Sequence, residues 1–229
     1  MATYKNIKGF GIQYLASDPT NPIEGQVWFN STTKTLKGHG LQGAGTWASA
    51  NAMNTARGPA TASGTQTAGI AVGGGTVNVE QYNGSSWTEV ANLNVAQSRS
   101  SISAQAPNAS TLNFGGTPDS DKTESWNNSS WTEVANLNSG RKGAAGFGES
   151  NTSAGNAGGE LATICELYNG SSWTEVNNPA TARRYLGGLG TVTAALIVGG
   201  DTDVPSFPGG RNTARVESWN GTSWTEITD

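Results

Sequence analysis

Eight glutamates stand at recurring places in this chain, and carboxylates are the residues whose number and spacing could do chemistry. Glu80, Glu124, Glu166 and Glu217 form one set, and Glu89, Glu133, Glu175 and Glu226 form a second. A ring of acids could hold a cation, and a carboxylate pair could serve glycoside hydrolysis. A catalytic pair is normally unique, however, and residues repeated in every unit usually serve packing between units or solvation. Four arginines, Arg57, Arg99, Arg141 and Arg183, recur as well. They are expected to pair with glutamates or to cap carbonyls between neighbouring units, and a clamp on a sugar carboxylate is the sharper alternative. His39 is the only histidine and lies between glycines, where an exposed turn is expected. No Ser-His-Asp or Cys-His set forms with it unless the N-terminal arm folds over the rest. Cys165 is the only cysteine, so no internal disulfide exists, and it is expected to be a small buried filler. The expectation is no catalytic residue, no metal ligand and no cofactor.

Binding residues are expected where the repeats differ, on loops. The longest departure runs from Asp201 to Asn212. Asp201, Asp203, Phe207 and Arg211 supply two acids, an aromatic ring and a guanidinium, a set suited to sugar hydroxyls through hydrogen bonds and stacking. The alternative is a proline-stiffened loop that shields a sheet edge or meets a neighbouring subunit.

These residues are carried by a repeat. Tyr82-Asn83-Gly84-Ser85-Ser86-Trp87-Thr88-Glu89-Val90 returns near Trp131, Trp173 and Trp224. In each copy a glutamate of the first set stands seven residues before the tryptophan. Trp47, Trp87, Trp131, Trp173 and Trp224 are spaced by 40, 44, 42 and 51 residues, a period that belongs to repeat architectures. Each unit holds four short strand candidates. The first follows the arginine and is rich in Gly, Ala and Ser. The second ends in a glycine pair: Gly73-Gly74, Gly115-Gly116, Gly158-Gly159 or Gly199-Gly200. The third carries the glutamate and an aromatic, and the fourth begins at the tryptophan. Asn-Gly between the last two predicts a tight type I′ turn with aromatic residues paired across it. Residues 151–157 read as a poor second strand. No stretch has helical periodicity. Four strands per unit, repeated radially, predict a β-propeller with small residues crowding the axis.

Residues 1–48 stand apart. Gln26–Asn30 and Lys34–Lys37 read as the strands of a hairpin, and Trp47 holds the place of the repeat tryptophan without its turn. Charged residues are only 13%, yet eight tryptophans provide buried area that a disordered tail lacks. A net charge of −4 without a basic block argues against nucleic acid. No apolar stretch has the length of a membrane helix, so no membrane insertion is expected. The N-terminus lacks the apolar run of a signal peptide, which predicts synthesis in a cytoplasm.

The glycine pair, aromatic, tryptophan and arginine together resemble the kelch repeat. The wording of the repeats, behind an opening that contains Asp18-Pro19-Thr20-Asn21-Pro22 and Gln26-Val27-Trp28-Phe29-Asn30, is similar to kelch-like proteins of bacteriophages, marine ones above all. The resemblance implies an all-β protein: a small kelch-like β-propeller of four four-stranded antiparallel blades over 49–229, with an N-terminal β-hairpin attachment module over 1–48. Whether the Val27–Trp47 region adds a partial fifth blade stays open. The resemblance further implies a virion structural protein of tail, fibre or capsid exterior. Its partners would be other virion proteins through residues 1–48 and a host-surface glycan or protein on the propeller loops, with a homo-oligomer also open. A stand-alone carbohydrate-binding propeller and a glycan-degrading enzyme are the competing readings. Kelch-containing copper oxidases need two histidines and a tyrosine–cysteine pair, which one histidine and one cysteine in separate regions do not supply. The aspartate boxes of sialidase propellers are absent.

Overall fold

The computed structural model describes residues 12–21, 26–39, 49–117, 121–160, 162–202 and 212–227. Every regular element among them is a strand. The chain forms two compact units, Met1–Ser49 and Ala50–Asp229, one residue past the expected boundary. Trp47, Asp203, Phe207 and Arg211 lie outside the described residues.

The second unit holds four antiparallel four-stranded sheets, each contiguous in sequence. Sheet 1 comprises β4 (Thr61–Thr65), β5 (Ala68–Val72), β6 (Val79–Tyr82) and β7 (Trp87–Glu89). Sheet 2 comprises β8 (Ser101–Ile102), β9 (Leu112–Phe114), β10 (Thr123–Trp126) and β11 (Trp131–Glu133). Sheet 3 comprises β12 (Ala145–Ser150), β13 (Ser153–Ala157), β14 (Cys165–Tyr168) and β15 (Trp173–Val176). Sheet 4 comprises β16 (Gly187–Thr191), β17 (Ala194–Val198), β18 (Val216–Trp219) and β19 (Trp224–Ile227). In all four, neighbours in sequence are neighbours in the sheet, so every connection within a sheet is a hairpin.

Alternation along the strands gives each sheet two apolar faces, and consecutive sheets bury them against each other. Ile70, Val72 and Val79 of sheet 1 pack with Ile102, Trp126 and Trp131 of sheet 2. Leu112 and Phe114 of sheet 2 pack with Ala154, Tyr168 and Trp173 of sheet 3. Phe147, Ala157 and Cys165 of sheet 3 pack with Ala195, Ile197 and Trp219 of sheet 4. The first strands crowd together as their composition predicts. A Cβ on Gly146 would sit 2.2 Å from the Ile102 carbonyl oxygen, and one on Gly188 would sit 2.3 Å from that of Gly146.

Three local expectations are corrected. The hairpin turn is not type I′. Tyr82 pairs directly with Trp87, so the loop has four residues, and only Gly84 in it takes a positive φ, +92°. Asn83 works through its side chain: Oδ1 accepts from the N–H groups of Ser85 and Ser86, both at 2.9 Å. The same bonds recur at Asn127, Asn169 and Asn220. The first strands begin two residues after Arg99 and four after Arg57, Arg141 and Arg183, so the arginines belong to the connectors. Residues 151–157 do not hold a poor strand: Ala154 to Ala157 of β13 all pair with β14, and β13 is almost wholly buried. Its small residues leave room for the Phe147 ring, which would lie 2.1 Å from a Cβ on Gly155. The irregularity falls instead in its pairing with β12, where the register shifts between Phe147 and Ser150. The aromatic pairing across the loop is as expected, with centroids 5.1 Å apart for Tyr82–Trp87 and 5.3 Å for Trp126–Trp131.

In the first unit, β2 (Val27–Asn30) and β3 (Thr35–Gly38) form the expected hairpin, and β1 (Gln13–Leu15) adds an unexpected parallel strand. Tyr14, Phe29 and Leu36 stand in one cross-strand row, and Tyr14 and Leu36 are exposed. The opposite face is tied by Asp18. Its Oδ1 accepts from Trp28 Nε1 at 2.9 Å and Asn30 Nδ2 at 2.8 Å, and its Oδ2 pairs with Lys37 at 2.6 Å. Lys37 above all, then Asn30 and Trp28, hold the Asp18 carboxyl down to about 2. A depressed carboxyl stabilises the fold above its ordinary pKa, and that contribution is lost as pH falls through the folded value. The Trp28 indole N–H resonance should therefore shift in an acid titration with a midpoint near 2. A midpoint near 4 would show that the cluster does not form.

Candidate functional site

The repeated glutamates are anchors for the connectors between sheets. Glu80 Oε2 accepts from the Asn54 N–H at 2.7 Å and from Asn54 Nδ2 at 2.9 Å, and Oε1 accepts from the Thr55 N–H and pairs with Arg57. Glu124 takes the same bonds from Asn94 and Val95. Glu166 takes them from Asn138 and pairs with Arg141 at 2.6 Å. Glu217 accepts from the Ala180 N–H and pairs with Arg183 at 2.7 Å. All four carboxylates are fully buried. Burial pushes Glu80 up, but the Asn54 and Thr55 N–H groups and the Arg57 guanidinium together hold it below the ordinary range. The glycine pairs grip the connectors from the other side. The N–H groups of Gly74, Gly116 and Gly159 donate to the carbonyls of Gln97, Arg141 and Arg183 at 2.8–3.0 Å. A Cβ on Gly115 would approach the Arg141 carbonyl oxygen to 2.6 Å, so a side chain there would displace the connector.

This arrangement corrects the arginine set. Arg57, Arg141 and Arg183 pair within their own sheets' repeats, but Arg99 does not pair with Glu124. Gln97 holds that place, fully buried, and accepts from Asn113 Nδ2 at 2.5 Å. The signal was in the spacing: ten residues from the tryptophan leads to Gln97, while Arg99 is at twelve. The second glutamates, Glu89, Glu133, Glu175 and Glu226, are exposed and stand directly opposite the buried set in the strand register. Each pairing thus sets one buried carboxylate committed to a connector opposite one exposed carboxylate; of the exposed set, Glu133 pairs with Lys122 at 2.5 Å and Glu226 with Arg215 at 2.8 Å.

Arg99 is placed elsewhere, where four connectors turn into the first strands. Pro59, Arg99, Gly143 and Tyr185 hold equivalent positions there. The Tyr185 N–H donates to the Gly143 carbonyl at 2.6 Å, the Gly143 N–H to the Arg99 carbonyl at 3.0 Å, and the Arg99 N–H to the Pro59 carbonyl at 3.5 Å. Pro59 has no N–H, so the series of donors stops at it. Arg99, Gly143 and Tyr185 share positive φ angles of 56°, 64° and 56°. These residues rim a cavity of about 450 Å³ whose wall includes Ala62, Ile102, Gly146 and Gly188 from the four first strands. Tyr185 is half exposed. Arg99 Nη1 donates to its hydroxyl at 3.1 Å, and the Arg99 and Arg184 guanidinium carbons each lie 5.4 Å from its ring centroid. Arg184 is balanced by Asp201 and Lys142 by Glu160. Arg99 is exposed and forms no ion pair among the described residues.

Of the four expected binding residues, Asp201 alone is described, and it is a strut. Its carboxylate accepts from Arg184 Nε and Nη2 at 3.2 and 3.1 Å, and its backbone bridges both Arg184 and Asn212. The base of the Asp201–Asn212 loop is thereby fixed beside the Tyr185 rim. Sequence reading missed Arg99 and Tyr185 as a pair because they lie 86 residues apart. Cys165 is the buried filler expected, and burial pushes its thiol up to about 12. His39 is exposed just after β3. No group of metal-ligating side chains occurs among the described residues.

No family model matches the chain, and no curated protein matches it. Among solved structures it is similar to YjhT, with a TM-score of 0.62 at 11% identity over 78% of this chain and 67% of that chain. A likeness at this identity shows the fold alone: the chain is all-β and β-propeller-like.

Proposed function

We propose that this chain is a non-enzymatic bacteriophage virion component, a small kelch-like propeller of four blades that binds a host-surface glycan. Residues 1–48 attach it to other virion proteins, and the propeller presents the Arg99–Tyr185 rim outward. The observation that carries the reading is Arg99: an exposed guanidinium without an acid partner among the described residues, bonded to Tyr185 at the mouth of a cavity. Such a group attracts a carboxylate or phosphate on a sugar and bonds it more strongly than a neutral acceptor. Attachment through the first unit is supported by its uncharged Tyr14–Phe29–Leu36 face. A passive role is supported by the first glutamate set, each member being spent on holding a connector.

Arg99→Ala should weaken binding of the full chain to a carboxylate-bearing bacterial surface polysaccharide by about 10–100-fold, the worth of one charge-assisted hydrogen bond. Equilibrium binding by interferometry reads this directly. Equal affinity of wild type and variant would remove the rim from the account.

A further inference from the structure

The four sheets do not all use their faces alike. Register places Leu189, Leu196, Val198, Val216 and Ile227 on one face of sheet 4, since residues directly opposite in neighbouring strands point to the same side. The matching faces of sheets 1, 2 and 3 carry Ile70, Val72, Leu112, Phe114, Ala157 and Cys165, all fully buried against the next sheet. On sheet 4, Leu189 and Ile227 are 43% and 45% exposed, and Leu196, Val198 and Val216 are only half-buried.

The opposite end mirrors this. Ala62, Gly69, Tyr82 and Trp87 lie on the face of sheet 1 that corresponds to the one sheets 2, 3 and 4 turn toward the preceding sheet. There Trp126, Trp131, Tyr168, Trp173 and Trp219 are buried. In sheet 1, Tyr82 and Trp87 are half-buried, Ala62 is exposed, and a groove of about 380 Å³ lies over the four residues. The described residues thus bury three sheet-to-sheet interfaces and leave both terminal faces open.

We infer that the terminal faces are an association surface for a second copy of this chain, sheet 4 of one copy packing on sheet 1 of the next. The occupant follows from the interfaces already present. An aliphatic face like that of sheet 4 is covered, three times within the chain, by an aromatic face like that of sheet 1. Neither exposed set contains a charge, so the contact is hydrophobic and self-complementary in the head-to-tail sense.

Head-to-tail packing makes a prediction that other contacts do not. The full chain should sediment above 23.5 kDa in a concentration-dependent way. Ile227→Lys, which blocks the sheet 4 face, and Ala62→Lys, which blocks the sheet 1 face, should each be monomeric. Both positions are exposed, so neither change burdens the fold of one copy, and an unchanged far-UV spectrum checks this. Mixed in equal amounts, the two variants should recover a two-copy species, since one unblocked pair of faces remains, with at least tenfold more complex than either variant alone. A wild-type chain that stays at one copy overturns the inference. So does association that survives either variant alone, or a mixture that stays monomeric.

Discussion

Replacing Arg141 with methionine should lower the unfolding free energy by about 3–5 kcal/mol. The reason is what remains. Glu166 is buried without solvent, and among the described residues the Arg141 guanidinium is its only cationic partner at hydrogen-bond distance, 2.6 Å away. Methionine fills the volume of the stem but leaves an uncompensated carboxylate, or forces its protonation. Removing the acid as well should not restore stability, because Glu166 also holds the Asn138 N–H and side-chain amide at 2.8 Å each. Arg99→Met is the internal control. That side chain is exposed and bonded to a tyrosine hydroxyl, so its loss should cost under about 1 kcal/mol. Urea unfolding of the two variants beside the wild type gives the comparison. Equal, small losses would mean that the connectors are not clamped through the glutamates.

Trp131→Ala should cost about 3–5 kcal/mol by a different route, the loss of a large buried ring and the cavity it leaves. Trp131 is 6% exposed, stacks obliquely on Trp126 at 5.3 Å, and belongs to the core that joins sheet 1 to sheet 2. The effect is not the full worth of an ideal indole, because its Nε1–H has no hydrogen-bond partner among the described residues, whereas that of Trp173 donates to the Ala135 carbonyl at 3.1 Å. Trp87 occupies the same repeat position on the open face of sheet 1 and is half-buried. Trp87→Ala should therefore cost clearly less. Thermal unfolding read by near-ultraviolet dichroism separates them, and an equal loss at both positions would show that the two faces are buried alike.

The strands and their order were legible because the repeat is long and its glutamate-to-tryptophan offset never changes. What escaped sequence reading escaped for identifiable reasons. Asn-Gly suggested a two-residue turn, but the Tyr82–Trp87 register admits four residues because Asn83 can cap two N–H groups with its side chain. Residues 151–157 read as a poor second strand, since the Phe147 ring that fills the space over Gly155 comes from the neighbouring strand. Arg99 was grouped by residue type rather than by spacing, which hid both the role of Gln97 and the rim. The loop from Asp201 drew attention by its length, yet its first acid is committed to Arg184. The rim itself is assembled from four connectors, and no local pattern announces such a convergence.

On the proposed reading, this scaffold binds a surface glycan and does not cleave it. The direct measurement is to incubate the full chain with a carboxylate-bearing bacterial surface polysaccharide, recording bound protein and released reducing ends together. The expected result is saturable binding, weakened by Arg99→Ala, with no reducing ends above the protein-free control. Steady release of soluble sugar, abolished by substitution of a single exposed glutamate such as Glu89 or Glu175, would contradict it.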